Sequence, residues 1–162
     1  MERVNAILRS DLYMELLRLT KEWEDSHPVF CRHGIEHMLD VARIAYILRL
    51  ESGGNHELSE EIIYAAALLH DIGRARQYRD ATPHERESAR IAALLLPECG
   101  FDEAETALIL DAISSHRMRG GGGEKTGLAE LIYRADKLSR RCFDCTMTDE
   151  CNWEHKNGRL CY

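Results

Sequence analysis

Apolar residues recur at three- and four-residue spacing along almost the whole chain, and no stretch alternates with a period of two between turn signals. With only 3 prolines to interrupt it, such a chain is expected to fold as an all-α domain, a compact bundle of five or more helices. One helix is expected over Asp11–Glu24, its stripe formed by Leu12, Leu16, Leu19 and Trp23 with Leu17 beside them. A second runs from about Arg32 to Leu50 and ends at Gly53-Gly54. Ser59 is placed to N-cap a third, with Glu60 and Glu61 in its first turn, reaching His70-Asp71 and stopping around Gly73. Thr82-Pro83-His84-Glu85 reads as a capping box with Pro at N1, opening a helix that closes before Pro97 or Gly100. Asp102-Glu103-Ala104-Glu105 opens a fifth running to about His116, and a sixth spans about Leu128 to Arg140. Between these two, Gly120-Gly121-Gly122-Gly123 is a loop that could move as a lid or be featureless.

Composition removes several function classes. The 162 residues suit one domain, 44% hydrophobic and 30% charged residues mark a globular chain, and no apolar run is long enough to span a bilayer. The N-terminus lacks a basic region followed by an unbroken apolar stretch, so a cytoplasmic location is expected. With 21 Lys+Arg against 28 Asp+Glu, the net charge of −7 disfavours a nucleic-acid polymer or an anionic membrane as partner, leaving phosphate recognition to local cations.

Against this background certain polar residues stand where apolar ones belong. His37 shares a stripe with Val41, Ile44 and Leu48, at i, i+4, i+7 and i+11. His70 follows Ile63, Ala66 and Ala67 in the same way, and Asp136 follows Ile132 by one turn. A buried carboxylate without partners costs several kcal/mol, so Asp71 and Asp136 require cations or donors. Taken singly, each inward histidine reads as a satisfied core residue. Together, His37, His70-Asp71, His84, His116 and Asp136 fall on five successive helices, and imidazoles and carboxylates converging inside one bundle are how divalent metal sites are built.

The series His37-x3-Val41, Leu69-His70-Asp71-Ile72-Gly73, His84, His116 and Ala135-Asp136-Lys137-Leu138 resembles the HD superfamily of metal-dependent phosphohydrolases over about residues 28–140. The resemblance implies a helical bundle with a central site for one or two divalent ions, among Mn, Fe, Co, Ni and Mg. His37, His70, Asp71 and Asp136 match the ligands of a first metal. In two-metal members Asp71 bridges, and His84 and His116 stand where the second metal's histidines would be. A phosphate mono- or diester of a nucleotide or related small metabolite is then cleaved by a metal-activated water. Asp71 and Lys137 are the expected catalytic residues, and Arg74, Arg76, Arg117 and His33 the expected substrate-binding ones; Arg74 departs from the Lys or Glu that several families place there. Ligation requires neutral imidazoles, so activity is expected to fall as pH drops through the histidine range. The same ligand set also admits a di-iron oxygenase, or a non-catalytic ligand-sensing module.

Four of the 6 cysteines lie in the last stretch, so the chain divides into a helical domain, 1–141, and a Cys-rich appendage, 142–162. Cys142, Cys145, Cys151 and Cys161 could hold zinc or an iron–sulfur cluster, with His155 as an alternative ligand; otherwise they are free thiols on a segment packed by Phe143, Trp153 and Tyr162. Cys31 and Cys99 read as ordinary core or helix-end cysteines.

Overall fold

The computed structural model describes residues 1–27, 30–52, 58–115, 127–154, 156–160 and 162. Among them the protein is all-α: α1 (Glu2–Arg9), α2 (Asp11–Ser26), α3 (Ile35–Glu51), α4 (Glu60–Leu69), α5 (Arg74–Asp80), α6 (His84–Glu98), α7 (Glu103–Ser115) and α8 (Gly127–Leu138), followed by a single 3-10 turn, Cys142–Asp144.

The sequence of α4 explains the architecture. Ile62, Ile63, Ala65, Ala66, Ala67, Leu68 and Leu69 are all buried, and a helix apolar around most of its circumference belongs in the centre of a bundle. Helices α1, α3, α6, α7 and α8 pack around it, while α2 lies against α5 and α1. Ser59 caps α4 as expected, its hydroxyl accepting from the Ile62 N–H at 3.3 Å. Tyr13 of α2 donates to the Leu68 carbonyl at 3.2 Å, tying that helix to the last turn of α4 just before His70. Arg3 reaches two helices at once, its Nε on Glu61 at 2.8 Å and its Nη1 on Glu105.

Several local expectations are corrected. The buried stripe of α2 is Tyr13, Thr20 and Glu24, whereas Leu12 and Leu19 are exposed; the register turns because Glu24 has partners inside, described below. Helices α1 and α5 were not anticipated: each is short, and helices this short are held by tertiary contacts rather than propensity. Thr82 does not cap α6. Its hydroxyl donates back to Asp80 at 2.6 Å, and Pro83, at the N-cap, precedes a first turn with no side-chain cap. Nor does Pro97 end that helix, which continues to Glu98. The stop is a Schellman motif: Gly100 at φ +85° donates to the Pro97 carbonyl at 3.1 Å, Phe101 donates to Leu96 at 3.0 Å, and both Phe101 and Leu96 are buried. The Asp102 cap forms a reciprocal pair with Glu105, at 2.8 and 3.1 Å.

The segment after α8 is not detached from the bundle. The Asn157 amide donates to the carbonyls of Lys137 and Arg140 at 2.8 and 2.9 Å, satisfying groups that the end of α8 leaves open. Trp153 lies over the Arg140 guanidinium at 4.2 Å, and the Tyr162 hydroxyl meets Glu51 at 3.2 Å.

Candidate metal centre

The centre is assembled where α3, α4, α6 and α8 meet. His37 comes from the first turn of α3, His70 and Asp71 from the end of α4, His84 from the start of α6, and Asp136 from the last turn of α8. Asp71 is the hub. Its carboxylate lies 2.9 Å from His84 Nε2, 3.5 Å from His70 Nε2, 3.8 Å from His37 Nε2 and 3.9 Å from His33 Nε2. Asp136 stands 3.6 Å from His37 Nε2. Ligand atoms of His37, His70 and Asp136 all lie within 4.8 Å of one another.

The other ring nitrogens explain why four imidazoles aim the same way. His70 Nδ1 donates to the Ala67 carbonyl at 2.6 Å, and a carbonyl can only accept. His84 Nδ1 lies 2.9 Å from Gln77 Oε1, an atom that also accepts from the Arg74 guanidinium at 3.1 Å and so is the amide oxygen. His33 Nδ1 donates to Glu24 at 2.8 Å. The Ser139 hydroxyl donates to the Asp136 carbonyl at 2.9 Å, which leaves its oxygen to accept from His37 Nδ1 at 3.3 Å. Each ring thus carries a proton on Nδ1 and turns its Nε2 toward the Asp71 side. That is the preparation metal-ligating histidines receive from their surroundings.

Lone pairs facing a carboxylate repel unless a cation or proton lies between them. His84 Nε2 and Asp71 Oδ1 are in this position, and the buried His37 Nε2 has no hydrogen-bond partner among the described residues. Burial pushes the His37 imidazole down to about 4, with His70 reinforcing the shift and Asp71 and Asp136 opposing it, so a proton is a poor filler. Burial likewise lowers His84. For Asp71, burial raises the carboxyl, but His70, the Arg74 guanidinium and the adjacent His84 ring outweigh it and hold the group well below the usual carboxylate range. Asp136 is also lowered, because Lys137 and His70 outweigh burial. Ionised carboxylates and neutral imidazoles are the donor set a divalent transition metal takes.

The cations do not all go where the sequence suggested. Arg74 pairs with Asp71 through two nitrogens, at 3.1 and 3.2 Å, and Lys137 pairs with Asp136 while lying 5.4 Å from the rings of both Tyr133 and Trp153. Arg76 instead bonds Asp80 on the half-exposed face of α5 and does not join the centre. His116, Arg117, Gly120–Gly123, His155 and Cys161 lie outside the described residues. Two residues not anticipated belong here. Glu24, buried, takes His33 and the Tyr78 hydroxyl at 2.7 Å; its i+11 spacing from Tyr13 is the spacing that puts His37 on one stripe with Leu48. Arg140, one turn beyond Asp136 and 3.9 Å from its carboxylate, lines the adjoining cavity. That cavity, of about 730 Å³, is lined by His33, His37, Asp136, Ser139 and Arg140 together with Cys31, Cys142 and Cys145.

The HD domain family model matches residues 34–141, which takes in α3 to α8 and every described residue of the centre except His33 and Glu24. The chain belongs to the HD domain family. A crystal structure of a predicted HD superfamily hydrolase from an uncultured Thermotogales bacterium shares this HD fold with a TM-score of 0.58 and 27% identity, over 77% of this chain and 66% of that one. An uncharacterized protein of Clostridium beijerinckii is 42% identical over 100% of both chains. Ribonuclease Y of Enterococcus faecalis is 31% identical over 65% of this chain, and the bifunctional uridylyltransferase/uridylyl-removing enzyme of Nitrobacter hamburgensis 33% over 50%. The HD chain spans only 18% and 10% of those two enzymes. Membership in this hydrolase superfamily makes a divalent metal the group for which the His/His/Asp cluster is suited. No helix among the described residues is long and apolar enough to cross a membrane.

Proposed function

We propose that this HD protein is a metal-dependent hydrolase that cleaves a phosphate mono- or diester of a nucleotide or related small metabolite. The observation that carries the reading is the convergence of four histidine Nε2 atoms on one buried carboxylate, Asp71. His37, His70, Asp71 and Asp136 would hold a first divalent ion, and Asp71 with His84 offers donors for a second, to which His116 would add. When bound, such ions supply Lewis acidity toward a phosphoryl oxygen and acidify a water molecule.

The chain's own residues do the rest. Arg74 keeps Asp71 ionised and fixes its two oxygens, so both remain available as donors. Lys137 does the same for Asp136 and is itself held between two aromatic rings. His33, oriented by Glu24, borders the cavity on the substrate side, and Arg140 offers a guanidinium to a phosphate. The His33 and His37 side chains retain 15% and 13% exposure and line the cavity, so the centre borders on space a small substrate could enter. A cavity of about 730 Å³ suits a nucleotide-sized molecule rather than a folded polymer. The end of the family match at residue 141 supports the expected division into a helical domain, 1–141, and an appendage, 142–162, which here packs on the domain and lines its cavity.

The test is hydrolysis of a panel of phosphomonoesters and diesters with Mn, Co, Ni or Mg added, beside His70→Ala. Metal-dependent turnover lost in the variant is expected. Inactivity across the panel, with wild type and His70→Ala alike, overturns the reading; iron retained on purification with substrate-dependent oxygen uptake replaces it with oxygenase chemistry.

A further inference from the structure

Three aromatic rings gather at the C-terminal end of α2, outside the metal centre. Trp23 stacks on the His27 ring, with centroids 4.1 Å apart and planes 5° from parallel, and on the Tyr78 ring of α5, at 4.1 Å and 11°. The His27 imidazole is held in place, since its Nδ1–H donates to the Trp23 carbonyl at 3.0 Å. Through Tyr78 the group is joined to the centre: the Tyr78 hydroxyl donates to Glu24 at 2.7 Å and lies 3.1 Å from His33 Nδ1. Of the three rings only His27 lines the cavity, and it is exposed. Phe30, three residues on, lines the same space and is 48% exposed. His33, His37 and Asp136 line it too, so one space connects these rings with the metal centre. Both His27 and Phe30 precede residue 34, where the family match begins.

We propose that His27 is a stacking platform for the planar base of the substrate, and that it makes the site prefer nucleoside phosphates to phosphates of sugars or alkyl alcohols. The proposal rests on the phosphate-ester reading, which gives the phosphate to the metal centre and Arg140. Every nucleobase has a π-face, and a base laid on an aromatic ring is held about 5- to 100-fold more tightly than without it. A ring already stacked on Trp23 and hydrogen-bonded loses little freedom when a base settles on its other face, so little of that gain is spent on ordering the protein. The exposed cations of the lining are occupied: Lys21 and Arg32 both pair with Asp25, and Arg141 pairs with Asp40. Away from Arg140 the cavity therefore offers rings to a base rather than further charges to a chain of phosphates.

The experiment compares adenosine monophosphate with ribose phosphate, its counterpart without the base, on the full chain with Mn added. The ratio of their kcat/KM values is expected to favour the nucleotide in wild type, to fall about 5- to 20-fold in His27→Ala, and to be kept in His27→Phe, which restores a ring but no imidazole. An unchanged ratio in His27→Ala, or a His27→Phe that behaves like His27→Ala, overturns the proposal. Calorimetric titration with adenosine, which has the base and no phosphate, separates this proposal from the hydrolase reading. Binding that weakens in His27→Ala is expected whether or not an ester is hydrolysed. Such binding without hydrolysis keeps the platform and removes the hydrolase, while hydrolysis without adenosine binding removes the platform.

Discussion

Glu24 accepts hydrogen bonds from both the backbone N–H and the ring Nδ1–H of His33, at 3.1 and 2.8 Å, so one buried carboxylate sets the position and the tautomer of that histidine. Glu24→Gln keeps the shape and the oxygen that faces Tyr78 and the His33 ring, but replaces the other acceptor by a donor facing the His33 backbone N–H. Turnover of whichever phosphate ester the wild type hydrolyses is expected to fall about 10- to 100-fold, the usual loss when an orienting partner is removed. Saturating metal should not restore it. A rate within twofold of wild type would show that His33 needs no such support.

Gly73 sits flush against the start of α6. A Cβ there would lie 2.5 Å from the His84 carbonyl oxygen and 2.7 Å from the Ser88 nitrogen, both backbone atoms that cannot rotate away, and the Gly73 N–H itself bonds the Ser88 hydroxyl at 2.9 Å. Gly73→Ala is expected to lower stability by about 1–3 kcal/mol, as overpacking does, and to displace His84 from Asp71. Chemical denaturation checks the first effect, and metal stoichiometry the second.

Ligands that bind only the native state stabilise it by mass action. A divalent ion at 100 times its dissociation constant adds about 2.7 kcal/mol, or roughly 2–4 °C in Tm for each kcal/mol in a chain of this size. Chelation should remove that increment from wild type and leave His37→Ala, already lacking a ligand, unaffected at this centre. Differential scanning calorimetry with and without Mn or Co distinguishes these outcomes.

Acid should release the N-terminal helix. The Glu61 carboxyl is lowered to about 2, chiefly by the Arg3 hydrogen bond and further by the N-terminal amine. A carboxylate depressed in the folded state contributes fully above its unfolded value of about 4.3, and the contribution is lost as pH falls toward 2. Glu61→Gln is therefore expected to cost at most about 1 kcal/mol at neutral pH, the ceiling for partly exposed ion pairs, with the two proteins converging at the acid end. Urea titrations across that range are the measurement.

Ala81 ends α5 at φ +60°, the left-handed region in which a Cβ is strained. Ala81→Gly removes a strain of about 1–2 kcal/mol against glycine's larger unfolded-state entropy, so a net gain of about 0.5–1 kcal/mol is expected in thermal melts.

Where the sequence was readable, a side chain's neighbours along one helix decided its environment. His37, His70 and Asp136 share stripes with core residues and are buried or nearly so, and their inward placement could be read from spacing of 3.6 residues per turn. Glu24 obeys the same periodicity but was hidden by a competing stripe, Leu12, Leu16, Leu19 and Trp23, whose hydrophobicity outweighs that of Tyr13, Thr20 and Glu24. What decides between them is a partner from elsewhere in the chain, Tyr78, which local pattern cannot supply. Arg76 departs in the opposite sense: a nearby acid, Asp80, one turn away on the same helix, pairs with it on the outer face of α5.

The cap that Asn157 places on α8 makes the end of that helix depend on residues beyond it. Without Trp153 and Asn157 the last turn of α8 would open to water and Lys137 and Arg140 would lose their indole cover, so the alignment of Asp136 is anchored from outside the stretch that carries the other donors.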